Sequence, residues 1–134
     1  MVTKELSQKN KYWISKHRQY ELKHFCLQYP IWKQEYKALS YISPSVSVRP
    51  SSSNTPADPT GNFVVKRSYY KDRIELIERI AMETDAVLGN YILVAVTEGL
   101  SYNHLKSRLK IPCGRDTYYA CYRRFFWLLS RERR

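Results

Sequence analysis

The sequence predicts an all-α fold, on three observations. Apolar residues recur at helical spacing in both the first and the last parts of the chain. Residues that start or stop helices punctuate those stretches, among them Pro30, Gly99, Ser101, Pro112 and Gly114. The one long stretch without the period, residues 43–62, holds four of the six prolines and almost no apolar side chains. At 134 residues, with 43% hydrophobic content, the chain suits one domain with a modest core, or one small domain with appendages. Its aromatic share is 14%, including twelve tyrosines.

Residues 7–29 read as the first helix. Trp13, His17, Tyr20 and Leu27 fall near one stripe, which Ile14, Leu22, Phe25 and Tyr29 widen. Pro30 breaks that helix and can open the next, where Ile31, Trp32, Tyr36 and Leu39 keep helical spacing. The two form an expected antiparallel hairpin, residues 1–42, whose aromatics serve packing. Residues 43–67 are expected to be a flexible linker or wrapping arm, because a stretch so poor in apolar side chains cannot offset its ordering entropy by burial. Val46 and Val48 offer at most a brief edge pairing.

Residues 68–134 form the expected third unit. Tyr70, Ile74, Ile77 and Ala81 make a stripe flanked by Leu76 and Ile80, opposite Lys71, Asp72, Glu75, Glu78 and Arg79. Thr84 or Asp85 then caps a helix over 86–98. Val87, Leu88, Tyr91, Ile92, Ala95 and Val96 make it apolar all round, so it should be the most buried helix. Gly89 inside it should cost about 1 kcal/mol relative to alanine. Gly99 supplies the left-handed residue that ends it. Ser101 is the N-cap of a short helix, with Leu100 able to staple onto Leu105, and Pro112 stops that helix near Leu109. Gly114 opens a last helix running to about Arg131. A short helix, a tight turn and a longer basic helix form the pattern of a helix-turn-helix, whose second helix enters the DNA major groove.

Charge supports that reading. The formal net charge is +11, so anionic partners are expected. Residues 1–40 carry +5, 41–67 carry +2, 68–100 carry −3 and 101–134 carry +7. The excess is therefore concentrated on the expected reading unit's stretch of chain rather than spread evenly. In the last helix Tyr118, Cys121 or Tyr122, Phe125, and Leu128 or Leu129 share a packing face. Arg115, Asp116, Tyr119, Arg123, Arg124 and Trp127 share the other. Arg115 can fork onto guanine, Asp116 can accept from cytosine or simply complement the helix dipole, and Tyr119 can touch a thymine methyl or a phosphate. Arg123 and Arg124 are placed for phosphates, as are Lys106, Arg108 and Lys110 before the turn. Arg131, Arg133 and Arg134 read as a solvated basic tail.

Other chemistry finds little footing. His17 and His24 are too far apart on one helix to share a metal, and Cys26 reads as a small buried hydrophobe. Cys113 and Cys121 lack zinc-type partners, and no phosphate-binding loop or catalytic arrangement is evident. No enzyme activity, cofactor or metal is expected. Three cysteines without a C-x-x-C pair, no apolar leader and no long apolar run lead to the expectation of a cytoplasmic protein with no membrane partner.

The run Glu98-Gly99-Leu100-Ser101-Tyr102, followed by Leu105, Leu109, Ile111 and Thr117, resembles the promoter-reading C-terminal domain of sigma factors. The wider layout, with Tyr29-Pro30-Ile31-Trp32, the linker to Asn62 and Ile77-Glu78-Arg79-Ile80, resembles RinA/ArpU-type late transcriptional activators of phages. The resemblance implies a sigma-like helix-turn-helix that binds double-stranded DNA upstream of a late promoter in a bacterial host cell, with bacterial RNA polymerase as a further partner. It adds Tyr102 and Thr117 to the DNA-binding set given above. Between Ile111 and Thr117 the chain has about two residues more than the sigma pattern, so the turn must bulge. Two rivals stand beside this reading: a terminase small-subunit-like DNA-packaging recognition protein that forms a ring, and an adaptor or inhibitor that docks on an acidic protein. The sequence leaves the oligomeric state open.

Overall fold

The computed structural model describes residues 8–40 and 59–133, and every regular element among them is helical. Helix α1 is Lys16–Leu27, α2 is Tyr29–Ser40 and α3 is Pro59–Thr84; α4 is Gly89–Glu98. A single α-turn, Tyr102–His104, continues as a π-helical stretch, Leu105–Leu109, and the two together are called α5. The last helix, α6, is Arg115–Glu132.

Helix α1 starts well after residue 7. Asn10 diverts the chain into a turn, its side chain accepting the Tyr12 N–H at 2.9 Å and its carbonyl accepting that of Trp13 at 3.1 Å. Ser15 then caps α1 by accepting the Arg18 N–H. The buried side chains are Leu22, Phe25 and Cys26, whereas His17, Tyr20 and Leu27 are exposed. Of the expected stripe, it is the widening residues Leu22 and Phe25 that face inward. One residue, Gln28, separates α1 from α2, where Pro30 is the second residue and its missing N–H costs nothing. Trp32 is buried edge-on to Phe25, with ring centres 4.9 Å apart. The main partner of α2 is α3 rather than α1. At one end Tyr29 donates to Glu78, and at the other the Arg67 guanidinium lies 5.1 Å from the Tyr36 ring centre. The two helices are therefore antiparallel.

Helix α3 begins at Pro59, so residues 59–67 are helical and not linker. The remainder of that stretch, with Val46 and Val48, lies outside the described residues. The expected stripe holds: Ile74, Ile77 and Ala81 are buried, joined by Ile80. Asp85 makes the next turn, its carboxylate accepting the Val87 and Leu88 N–H groups, both at 2.8 Å. That turn occupies 86–88, so α4 opens at Gly89 and not at Ala86. Gly89 is accordingly not a weak point in mid-helix. A Cβ there would sit 2.7 Å from Met82 Sδ and 2.9 Å from the Ala81 carbonyl oxygen, so it is where α4 touches α3. Only Asn90 and Glu98 of α4 are exposed. Its buried Thr97 satisfies its hydroxyl locally by donating to Leu93 O at 2.6 Å. Gly99 ends it in the left-handed conformation, φ 69°.

One continuous core results. Leu22, Phe25 and Trp32 from the first two helices pack in the same cluster as Ile77, Ile92 and Phe125. Helix α4 contacts α1, α2, α3, α5 and α6. The first pair of helices is thus part of the body that carries the last two.

The Gly89 contact generates a prediction. Gly89→Ala should destabilise the fold by about 1–3 kcal/mol through overpacking. The measurement is urea unfolding, with a lowered midpoint at unchanged slope. An unshifted midpoint would mean that α3 and α4 can separate without loss.

Candidate nucleic-acid interface

The interface begins at Ser101, whose extended backbone and hydroxyl, accepting the His104 N–H at 3.2 Å, start α5. After one turn the helix widens. Lys110 donates its N–H to Leu105 O, and so does Ile111, at 3.3 Å. Lys110 itself is left-handed, φ 56°, the one non-glycine residue with positive φ among the described residues. Such a conformation costs roughly 1–2 kcal/mol. Residues 106–110 are all exposed, between Leu105 and Ile111, which are buried. A helix packed along its length would turn some of five consecutive residues inward, so this stretch stands off the core as an arch with two apolar feet. The helix widens at 105–110, before Ile111 rather than after it. Leu109, expected at the end of the short helix, is exposed in consequence.

Tyr102 links the arch to α6. It is 7% exposed, and its hydroxyl donates to Cys113 O at 2.7 Å. Its ring lies 5.6 Å from that of Tyr118, which is 1% exposed. Tyr102 therefore braces the turn and is not positioned to touch DNA, a correction to its place in the expected set. Gly114, extended at φ −81° and ψ 173°, then starts α6, and its carbonyl accepts the Tyr118 N–H at 3.0 Å.

Along α6 the packing face is Tyr118, Phe125, Phe126 and Leu129, with Cys121, Tyr122 and Leu128 half-buried. Phe126 is an addition to the expected face. Asp116, Thr117 and Arg124 are exposed, and Arg123 is half-buried. Among the described residues, none of Lys106, Arg108, Lys110, Arg123 and Arg124 is held in an ion pair. Arg115 reaches across the turn, donating to Asn103 Oδ1 at 2.7 Å with its guanidinium 5.2 Å from the Tyr102 ring centre. Its fork is thus held at the mouth between α5 and α6. Tyr119, expected on the DNA side, is instead half-buried in a tyrosine cluster, 4.9 Å from Tyr118 and 5.9 Å from Tyr122 between ring centres. The cluster forms because Tyr118, Tyr119 and Tyr122 lie one to four residues apart on a single helix.

The thiols show which cations meet. Burial raises Cys113, the Lys106 ammonium draws it back, and the Asp85 carboxylate adds to the rise. Burial also raises Cys121, helped by Asp85 and Cys113, with the Arg124 guanidinium opposing. Lys106 and Arg124 therefore border one patch around Cys113, Cys121 and Asp85, while Arg115 lies by Asn103. Sequence reasoning gave no sign of Asn103 or Asp85 in this neighbourhood.

The C-terminal half of α6 differs from expectation. Trp127, expected on the open face, is half-buried against Tyr12. Arg131 stacks on Trp127, 4.7 Å to the ring centre, and Arg133 on Phe25 at 4.0 Å, so neither is simply a solvated tail. Arg134 lies outside the described residues. Arg18 closes the end of the helix, donating to Ser130 Oγ and O, each at 3.2 Å, and to Arg133 O. Among the described residues, no group of three or more His, Cys, Asp or Glu side chains could hold a metal ion, and no helix is long and apolar enough to cross a membrane.

Burial sets a pH dependence. Desolvation pushes the Cys26 thiol from its ordinary 9.0 to about 12, opposed by Arg133. Burial likewise pushes up the Tyr118 and Tyr122 hydroxyls. An unfolded chain releases the Cys26 proton near pH 9.0, whereas the folded chain keeps it to about 12. Stability from these groups is therefore intact below pH 9 and is lost as pH rises through 9–12. Denaturant midpoints measured from pH 7 to 12 should fall over that window, and Cys26→Ala should flatten the first part of the fall. A rise in stability would contradict the buried thiol.

No family model matches the chain, and neither the curated proteins nor the solved structures include one that matches it.

Proposed function

We propose that the chain is a sequence-specific double-stranded DNA-binding protein that uses α5 and α6 as a helix-turn-helix. The observation that carries this reading is the arrangement of cations around the turn. Lys106, Arg108 and Lys110 stand on an arch clear of the core, while Arg123 and Arg124 lie on α6 with no carboxylate partner among the described residues. Phosphates of a duplex satisfy such a set, and counterion release supplies the affinity.

Specificity falls to the start of α6. Arg115 is held by Asn103 beside the first turn, where a recognition helix reaches base edges. Its planar fork suits guanine O6 and N7. Asp116 and Thr117 are exposed next to it. Tyr102 and Tyr119 support this edge from behind. The resemblance to RinA/ArpU-type proteins narrows the biological role to activation of phage late genes, with RNA polymerase recruited by another surface.

Two substitutions separate positioning from reading. Arg123→Ala should weaken binding to every duplex alike and reduce the slope of log affinity against log salt by about 0.9, one phosphate's share. Arg115→Ala should cost roughly 1–3 kcal/mol on the preferred site and little on random DNA. Gel-shift titrations with a site selected from fragmented genomic DNA provide both measurements. Identical effects of the two changes on specific and random duplexes would refute the groove assignment, and failure to shift any duplex at low salt would refute DNA binding.

A further inference from the structure

Residues 8–15 belong to no helix, yet they are seated on the outer side of α6. Their ends are fixed: the Asn10 turn holds one, while Ile14 packs on the core and Ser15 caps α1 at the other. Between them Tyr12 meets Trp127 edge-on, ring centres 5.1 Å apart and planes at 72°. Lys11 Nζ lies 5.4 Å from the Trp127 ring centre and 5.6 Å from that of Tyr12. The Arg131 guanidinium lies 4.7 Å from the same indole. Two exposed cations are thus gathered around one ring, and among the described residues neither is in an ion pair. The indole offsets part of their repulsion; an anion would offset the rest.

This pair continues the basic face of α6. Arg124 and Arg131 are seven residues apart, two turns or roughly 10.5 Å along one side of the helix, with Trp127 between them. The seated segment also covers the outward side of α6 at Trp127, so only the first half of the helix is free to enter a groove. Beyond that point the helix and the segment meet the duplex at its backbone.

We propose that residues 8–15 form a second clamp on the same duplex: Tyr12 seats the segment on Trp127, and Lys11 with Arg131 grips phosphates beside the groove that the start of α6 reads. This rests on the DNA-binding reading of α6. The contact is to phosphodiester oxygens, so it adds affinity without sequence preference.

The test uses the full chain and fluorescent duplexes, one carrying the selected site and one random, titrated over a series of salt concentrations. Lys11→Gln should lower affinity for both duplexes by the same factor and reduce the salt slope by about 0.9. Tyr12→Ala, which removes no charge, should produce a similar loss because the segment is no longer seated, whereas Tyr12→Phe should bind as the unaltered chain does. Lys37→Gln, in the groove between α2 and α3, should leave the slope unchanged. Tighter binding by Tyr12→Ala would identify the segment as a cover over α6 and overturn the proposal. Unaltered binding by both Lys11→Gln and Tyr12→Ala, with Arg124→Gln impaired, would overturn the clamp and leave the α6 reading standing. No binding by the unaltered chain would overturn both. Tyr12→Phe and Lys11→Gln keep the test decisive should Tyr12→Ala fail to fold, which circular dichroism reports.

Discussion

The architecture depends on a ten-residue rod that cannot exist by itself. Helix α4 has no broad polar face, and a helix of that length is marginal in water whatever its composition. It forms because every other helix packs on it. The close approach at Gly89 sets its distance from α3, and the left-handed Gly99 sets the direction in which the chain leaves. The start of α5 is therefore placed by the core, and with it the whole turn. A cation on the arch owes its position to Ile92 and Ala95 as much as to its own neighbours.

The turn reconciles two demands that conflict in a short segment. Lys106, Arg108 and Lys110 repel one another, which favours spreading them into solvent, yet the segment must stay attached to the core. Widening the helix to π geometry gives both. Leu105 and Ile111 remain buried as anchors, and the residues between them rise clear. The left-handed Lys110 is the conformational cost of closing the arch, and the Tyr102 hydroxyl on Cys113 O holds the far side. Short π stretches are frequent at functional sites. The strain here coincides with the densest positive charge before α6.

Much of this was legible because its causes are local. Gly99, Ser101 and Gly114 act through their own backbones, so their roles could be read from position alone. The apolar stripes of α3 and α6 are long enough for the helical period to select a face. The period failed where the matching stripe was too broad to select a face, as in α1, where Tyr20 and Leu27 matched it yet face solvent. It also failed where a polar residue captured the chain, as Asn10 and Asp85 do, delaying α1 and α4. Tyr102 and Tyr119 were misread for a related reason: tyrosine suits a wet surface and a hydrogen-bonded interior equally, and only the Cys113 carbonyl and the Tyr118 ring decide between them. The roles of Arg18 and Tyr12 were beyond reach. Each acts on a partner more than a hundred residues away in sequence, at Ser130 and Trp127.

Those two distant contacts give α6 a polarity that its own sequence does not. At the first turn Gly114 offers no side chain to cap the exposed N–H groups, so the positive end of the helix dipole is left open beside Arg115. At the last turn carbonyl groups would present the opposite sign. Arg18, itself ion-paired with Glu21, donates to the Ser130 and Arg133 carbonyls and so covers that end. Lys11 and Arg131 add their charges one turn earlier, around Trp127. Cations thus accompany α6 along its length, with Asp116 in its first turn and Glu132, drawn aside to Arg79, in its last. Masking that end by α1 stabilises the helix whatever its role, because its last carbonyls gain donors and its dipole a compensating charge. A helix lying along a phosphate backbone would otherwise be repelled at that end.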